Sequence, residues 1–241
     1  MRAGWLLTWC LVGCGAEIGG DDPSTDGAPR LVDAAVDRAD AVPPPDAAPP
    51  QTTLIDAASI VDTFLRFNNP ALNYGITERL CADTTTDDRR VLLRIDVSSL
   101  PTDIEVVSAD LHIWTSTSTN DLSTQTFSVY RMLESWNEGS QDAATGFASW
   151  DDRKSGTGWT VAGAGVGSRD DVVMGSFVPA AIDTEYIVPL EPEIVAGWVA
   201  DPASNFGAVI VAAGQDGGCF ASSEAATASR RPSLSVTWLA R

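Results

Sequence analysis

The sequence predicts an all-β fold: a jelly-roll-type antiparallel β-sandwich with one short helix, preceded by a disordered tether. Three observations point there. Val, Ile, Thr, Trp and Phe recur in short runs divided by Gly, Asn, Asp, Ser and Pro clusters, as strands divided by turns do. Residues 53–241 have the length of one domain with a sizeable core. Only one segment in that span shows a helical apolar pattern. Many short strands with a single helix fit two packed layers of sheet. No internal repeat is visible.

Strands are expected at Ser59–Phe67, Ile76–Ala82 and Arg89–Val97. In the third, Val91, Leu93, Ile95 and Val97 share one face, and Leu92, Arg94 and Asp96 share the other. That alternation reads as an antiparallel strand with one buried side. Glu105–Thr115 follows, with Leu111 and Ile113 facing away from Asp110, His112 and Trp114. Thr126–Leu133, Val172–Val178 and Glu185–Pro189 are the next strands. Glu193–Ala200, carrying Ile194, Val195, Trp198 and Val199, reads as the helix. Phe206–Ala213 contains the continuously apolar run Gly207–Ala213, which belongs in the middle of a sheet. Cys219–Ser222 and Ser233–Leu239 complete the set.

The chain before residue 53 has a different character. Asp, Ala and Pro dominate residues 15–52, with Pro43-Pro44-Pro45 and Pro49-Pro50. Such a stretch buries too little apolar surface to offset the entropy of ordering it. Its prolines and its self-repelling charges make it an extended spacer. Leu31–Asp40 could form a turn or two of helix, but it is too short to hold one alone. Arg2 followed by the apolar run Trp5–Val12 reads as a secretory targeting segment, since the run is too brief to span a bilayer. Leu11-Val12-Gly13-Cys14 resembles the bacterial lipobox, in which the cysteine is lipidated and becomes the mature N-terminus. The alternative is an ordinary signal peptide cut elsewhere. The lipobox reading gives three parts: a lipoprotein signal peptide (1–13), a lipidated Cys14 with its tether (14–52), and the β-sandwich (53–241). Gly15 is not the acidic residue that resembles an inner-membrane retention signal, so the outer membrane of a Gram-negative bacterium is expected. The lipid on Cys14 is then the sole contact with the bilayer, and the protein is expected to be a monomer.

A formal net charge of −18 argues against nucleic acid and anionic lipid surfaces as partners, because phosphate binding wants basic patches. Cys81 and Cys219 are the only cysteines in the folded region. In an oxidising compartment an even pair suggests a disulfide, and two buried free thiols are the alternative. Such a bridge would contribute on the order of 3 to 5 kcal/mol.

Catalytic chemistry finds little support. His112 is the single histidine and sits mid-strand without a neighbouring Ser or Cys nucleophile, so a structural role is expected. No H-E-x-x-H, G-x-S-x-G or C-x-x-C occurs. Gly163-Ala-Gly165-Val-Gly167 lacks the lysine of a phosphate cradle and reads as a flexible loop. Glu134, Glu138, Asp142, Asp151 and Asp152 fall in one loop region, where a solvated acidic loop competes with a glycosidase-like carboxylate pair. The pairs Asp87-Asp88, Asp151-Asp152 and Asp170-Asp171 could ligate calcium through oxygen, without EF-hand spacing. No other cofactor is expected. Trp136, Phe147, Trp150 and Trp159 lie in a polar, Gly-rich stretch. Indole faces there could stack on the C–H faces of sugars, with Arg153 among the polar partners. The alternative is that these rings fold back as plugs on the sandwich edge.

An ordered set of motifs runs through the folded region. It opens with Asp62-Thr-Phe-Leu-Arg66 and Asn73-Tyr-Gly75, then Leu92–Pro101 and Val107-Ser-Ala-Asp-Leu111. Val129-Tyr-Arg131 leads to Ser135-Trp-Asn-Glu-Gly139 and Ala148-Ser-Trp150. Asn205-Phe-Gly207, Phe220-Ala-Ser-Ser-Glu224 and Arg231–Trp238 close it. In this order the motifs resemble the DNRLRE-type domain, also classed as carbohydrate-binding module family 96. That resemblance implies a jelly-roll sandwich of bacterial and archaeal surface proteins that binds polysaccharide without catalysis. The expected partner is a polysaccharide or another cell-envelope component. A structural or adhesion protein that binds proteins rather than glycans is the other class. The strong negative charge opposes a polyanionic glycan unless calcium bridges the two.

Overall fold

The computed structural model describes residues 48–241. The signal peptide, Cys14 and the tether up to residue 47 lie outside the described residues. In chain order the strands are β1 (Gln51–Ile55), β2 (Ile60–Arg66), β3 (Asn73–Tyr74), β4 (Arg79–Ala82) and β5 (Arg89–Ile95). Next come β6 (Ile104–Trp114), β7 (Phe127–Met132), β8 (Asp142–Ala144), β9 (Asp152–Lys154) and β10 (Thr157–Gly158). β11 (Arg169–Phe177), β12 (Glu185–Leu190), the helix α1 (Pro192–Ala200), β13 (Ala208–Ala212), β14 (Gly218–Ala221) and β15 (Ser233–Ala240) complete the order.

Two antiparallel sheets form the sandwich. One has the order β1-β15-β6-β12, the other β11-β7-β13-β5-β2. The all-β sandwich read from the sequence is therefore the observed architecture, with one α-helix among the described residues. Alternation places Ala109, Leu111 and Ile113 of β6 and Leu234, Val236 and Trp238 of β15 on the inner face. They meet Val91, Leu93 and Ile95 of β5 and Val129 of β7 from the other sheet. The helix starts with Pro192 at its first turn, where a missing N–H costs nothing, and buries Val195, Trp198 and Val199 in the same core.

Two expectations about this frame change. β1 begins at Gln51, inside the stretch assigned to the tether, because its backbone completes a ladder with β15. And β5 has no solvent side: Leu92 is as buried as Val91. Leu65, Leu92 and Val209 from β2, β5 and β13 form a second apolar cluster on the outer face of the five-stranded sheet. The long excursion between β7 and β11 covers that face with Trp136, Ala148, Trp150, Trp159 and Ala164. The middle of this sheet is thus buried on both sides, and the apolar run of β13 occupies its centre as its composition suggests.

Cys81 and Cys219 are bonded, and they stand opposite one another in the β4–β14 ladder. The bridge closes 138 residues of chain, so it removes much of the freedom of the unfolded state. No described helix is long and apolar enough to cross a membrane.

Candidate functional site

The stacking platform expected of Trp136, Trp150 and Trp159 is not there, because all three indoles are buried, at 1 %, 8 % and 8 % exposure. Each is fixed by partners that a sugar would have to displace. Trp136 donates its indole N–H to the Phe206 carbonyl at 2.9 Å, and Trp159 donates to the Ser149 carbonyl at 2.8 Å. Arg90 lies over the Trp150 ring and Arg94 over Trp136, 4.8 and 5.6 Å from the ring centres. Arg153 is also an internal strut, donating to the Ser135 carbonyl at 2.9 Å. The rings plug the outer sheet face, packing over Leu65, Leu92 and Val209 together with Met132, Ala148 and Ala164.

The glycine run lies in this cover too. Gly163 sits in the left-handed region at φ 67°, and a Cβ there would lie 2.6 Å from the Trp150 ring. Its carbonyl accepts from Arg90 at 2.7 Å. The segment is therefore a packing surface for Trp150 rather than a loose loop. Asn73-Tyr-Gly75 and Asn205-Phe-Gly207 share one local device. In each, the Asn side-chain oxygen accepts from the glycine N–H two residues on, at 3.0 and 3.1 Å. Its amide then reaches across the fold, Asn73 to the Ala148 carbonyl and Asn205 to the Ile95 carbonyl, both at 2.7 Å. Both motifs hold the frame together.

His112 accepts the structural role expected of it, with its two ring nitrogens 2.9 Å from Glu185 Oε1 and 3.0 Å from Ser235 Oγ. Of the paired acids, Asp87 is gripped by Arg66 and Arg89, Asp88 by Arg90 and Asp170 by Arg131. Burial raises the Asp87 carboxyl, but the hydrogen bonds and charges of Arg66 and Arg89 outweigh it and pull the group down to about 2. Each of these carboxylates is held by at least one guanidinium group, which disfavours it as a cation ligand, although Asp88 Oδ1 is itself buried without a partner. Glu134 ties the excursion to itself by accepting from Thr160 Oγ1 at 2.6 Å and from its backbone N–H at 3.1 Å.

One acid of the excursion does converge with others. Glu138 meets Asp62 of β2 and Glu224, which follows β14, so that one carboxylate oxygen of each lies within 4.8 Å of the other two. Asp62 is 1 % exposed. Its backbone N–H donates to Glu138 Oε1 at 2.6 Å, and its Oδ2 accepts from the Ser223 N–H at 2.7 Å. Ser223 Oγ lies 2.8 Å from Glu224 Oε1. Asp62 Oδ1 and Glu224 Oε2 are buried with no hydrogen-bond partner. Burial, joined by repulsion from Glu224, pushes the Asp62 carboxyl well above its ordinary value, and the Ser223 N–H offsets part of this. Burial likewise pushes Glu138 up to about 7, against the pull of the Asp62 N–H. Two like charges about 5 Å apart repel by roughly 3 kcal/mol at an effective dielectric near 20. Sequence reasoning missed this trio, although each acid sits in one of the motifs of the family resemblance.

A cleft of about 520 Å³ opens elsewhere, beside the starts of β2 and the excursion. Val61, Arg94, Asp96, Ser135, Asn205 and Phe206 line it. An apolar ring edge beside a guanidinium and a carboxylate is the mixture that a sugar uses, since hydroxyls take the charged groups and C–H faces take the ring. Phe67, 52 % exposed and edge-on to Trp150 at 5.3 Å, is the most exposed aromatic ring among the described residues.

The fold defines a class first, a two-sheet antiparallel β-sandwich of the kind that presents ligand sites on its faces and edges. Within it, residues 53–143 match the family model of carbohydrate-binding module family 96, in agreement with the motif resemblance. The matched stretch runs from β1 into β8 and contains Asp62, Arg94, Trp136 and Glu138. No curated protein matches the chain.

Proposed function

We propose that the protein is a non-catalytic carbohydrate-binding module displayed from the cell envelope. The lipid on Cys14 anchors it in the outer membrane, and the tether holds the sandwich away from the bilayer. The observation that carries the binding reading is the family-model match over residues 53–143. The cleft bounded by Arg94, Asp96, Ser135 and Phe206 is the docking site in this reading, in place of the buried tryptophans. It supplies hydrogen-bonding and apolar surface side by side, which is what a neutral polysaccharide requires. The net charge of −18 disfavours polyanionic glycans.

Affinity electrophoresis of the full chain against a panel of neutral and acidic polysaccharides tests this. Retardation by at least one neutral polymer, weakened in Arg94→Ala, is expected. Unchanged mobility on every polymer overturns the reading. Anchoring is tested separately by metabolic labelling with a radioactive fatty acid, which should mark the wild-type chain and not Cys14→Ser. Equal labelling of the two sinks the lipid assignment.

A further inference from the structure

We propose that Asp62, Glu138 and Glu224 form a calcium site that ties β2, the excursion and the segment after β14 to one another. The inference stands apart from the glycan reading and from the cleft near Arg94. Three carboxylates from distant parts of the chain place one oxygen each within 4.8 Å of the others. A cluster of acids alone would be ordinary on an acidic protein. Here the central member, Asp62, is 1 % exposed, and its Oδ1 is buried without a partner. Glu224 Oε2 is a second buried oxygen without one. Buried polar atoms are nearly always satisfied, and each orphan asks what satisfies it.

An arginine does not supply the answer, since none forms an ion pair with any of the three among the described residues. The same protein pairs Asp87, Asp88 and Asp170 with arginines. A bound cation removes the repulsion among three carboxylates and gives both orphan oxygens a partner at once.

The donor chemistry selects the ion. All three side chains offer oxygen, with no His nitrogen or Cys sulfur in the cluster, which disfavours zinc. Magnesium requires near-ideal octahedral geometry and retains most of its water, which a site with a fully buried member resists. Calcium accepts six to eight oxygens in flexible geometry, from carboxylates, backbone carbonyls and water.

The test uses the full chain stripped with EDTA and dialysed. Calorimetric titration with calcium chloride should show saturable heat at one ion per chain. The melting temperature should rise with calcium and fall back with EDTA. Glu224→Gln should abolish both responses while its circular dichroism stays native, and Glu138→Gln should weaken the affinity at least tenfold. These two changes are preferred because Asp62→Asn alters the buried member and risks the fold. Absence of heat and of any thermal shift in the wild type overturns the proposal. So does a calcium response that persists unchanged in Glu224→Gln, or a magnesium response as strong as that of calcium. Carbohydrate retardation of the stripped chain reports on the cleft independently, so failure of one reading is distinguishable from failure of the other.

Discussion

Asp87 shows how single residues set this molecule's response to acid. Arg66 reaches it with Nε at 2.8 Å and Arg89 approaches from the following strand, so its carboxyl titrates near 2 rather than at the ordinary 3.8. A carboxyl held below its unfolded value contributes stability above pH 4, and that contribution is lost as pH falls towards 2. The amount is at most about 2 kcal/mol. Urea titrations between pH 5 and 2 should therefore show a steeper loss in the wild type than in Asp87→Asn. Equal slopes would mean that the arginine grip contributes nothing. The asparagines of the two Asn-x-Gly motifs make a related point. Asn73 and Asn205 each spend a side-chain amide on a main-chain carbonyl across the fold, so they work as packing residues.

At the level of elements, the excursion between β7 and β11 behaves as part of the core. Trp136 is fully enclosed, and removing its ring leaves a cavity over Leu92 and Val209. Trp136→Ala should cost about 3–5 kcal/mol in urea unfolding. A loss below 1 kcal/mol, on the order of an exposed substitution, would contradict the packing described here. The longer strands were legible in the sequence because alternation reports burial over that length, and β5, β6, β13 and β15 lie close to their expected ranges, whereas the mostly exposed five-residue β1 was not seen. β3, β8, β9 and β10 were not legible, since two or three residues carry no period. The second core was hidden by Arg94 and Asp96, whose polarity made one face of β5 look solvated. Arg94 in fact lays its guanidinium over Trp136 and so helps cover that face. The aromatic cluster was visible as an anomaly in a polar stretch, but its direction was not. Which way an indole points depends on a partner surface 40 or more residues away, as with Trp136 and Phe206. The acid trio was hidden for the same reason, since Asp62 and Glu138 are 76 residues apart.

For the molecule as a whole, the disulfide, the two cores and the acid trio act on different parts of the same sandwich. Cys81–Cys219 fastens the β4–β14 ladder, the tryptophans seal the outer sheet, and the trio joins segments from the start, middle and end of the domain. The β1–β15 ladder adds something of another kind. Gln51 stands opposite Trp238, so the point where the chain enters the domain and the point where it leaves are neighbours on one sheet edge. A short linker could splice these two ends and new ends could be opened in an exposed turn, giving a circular permutant with the ladder intact. In a tandem array, copies joined end to start would hang from a common line like leaves on a stem, rather than being strung out lengthwise.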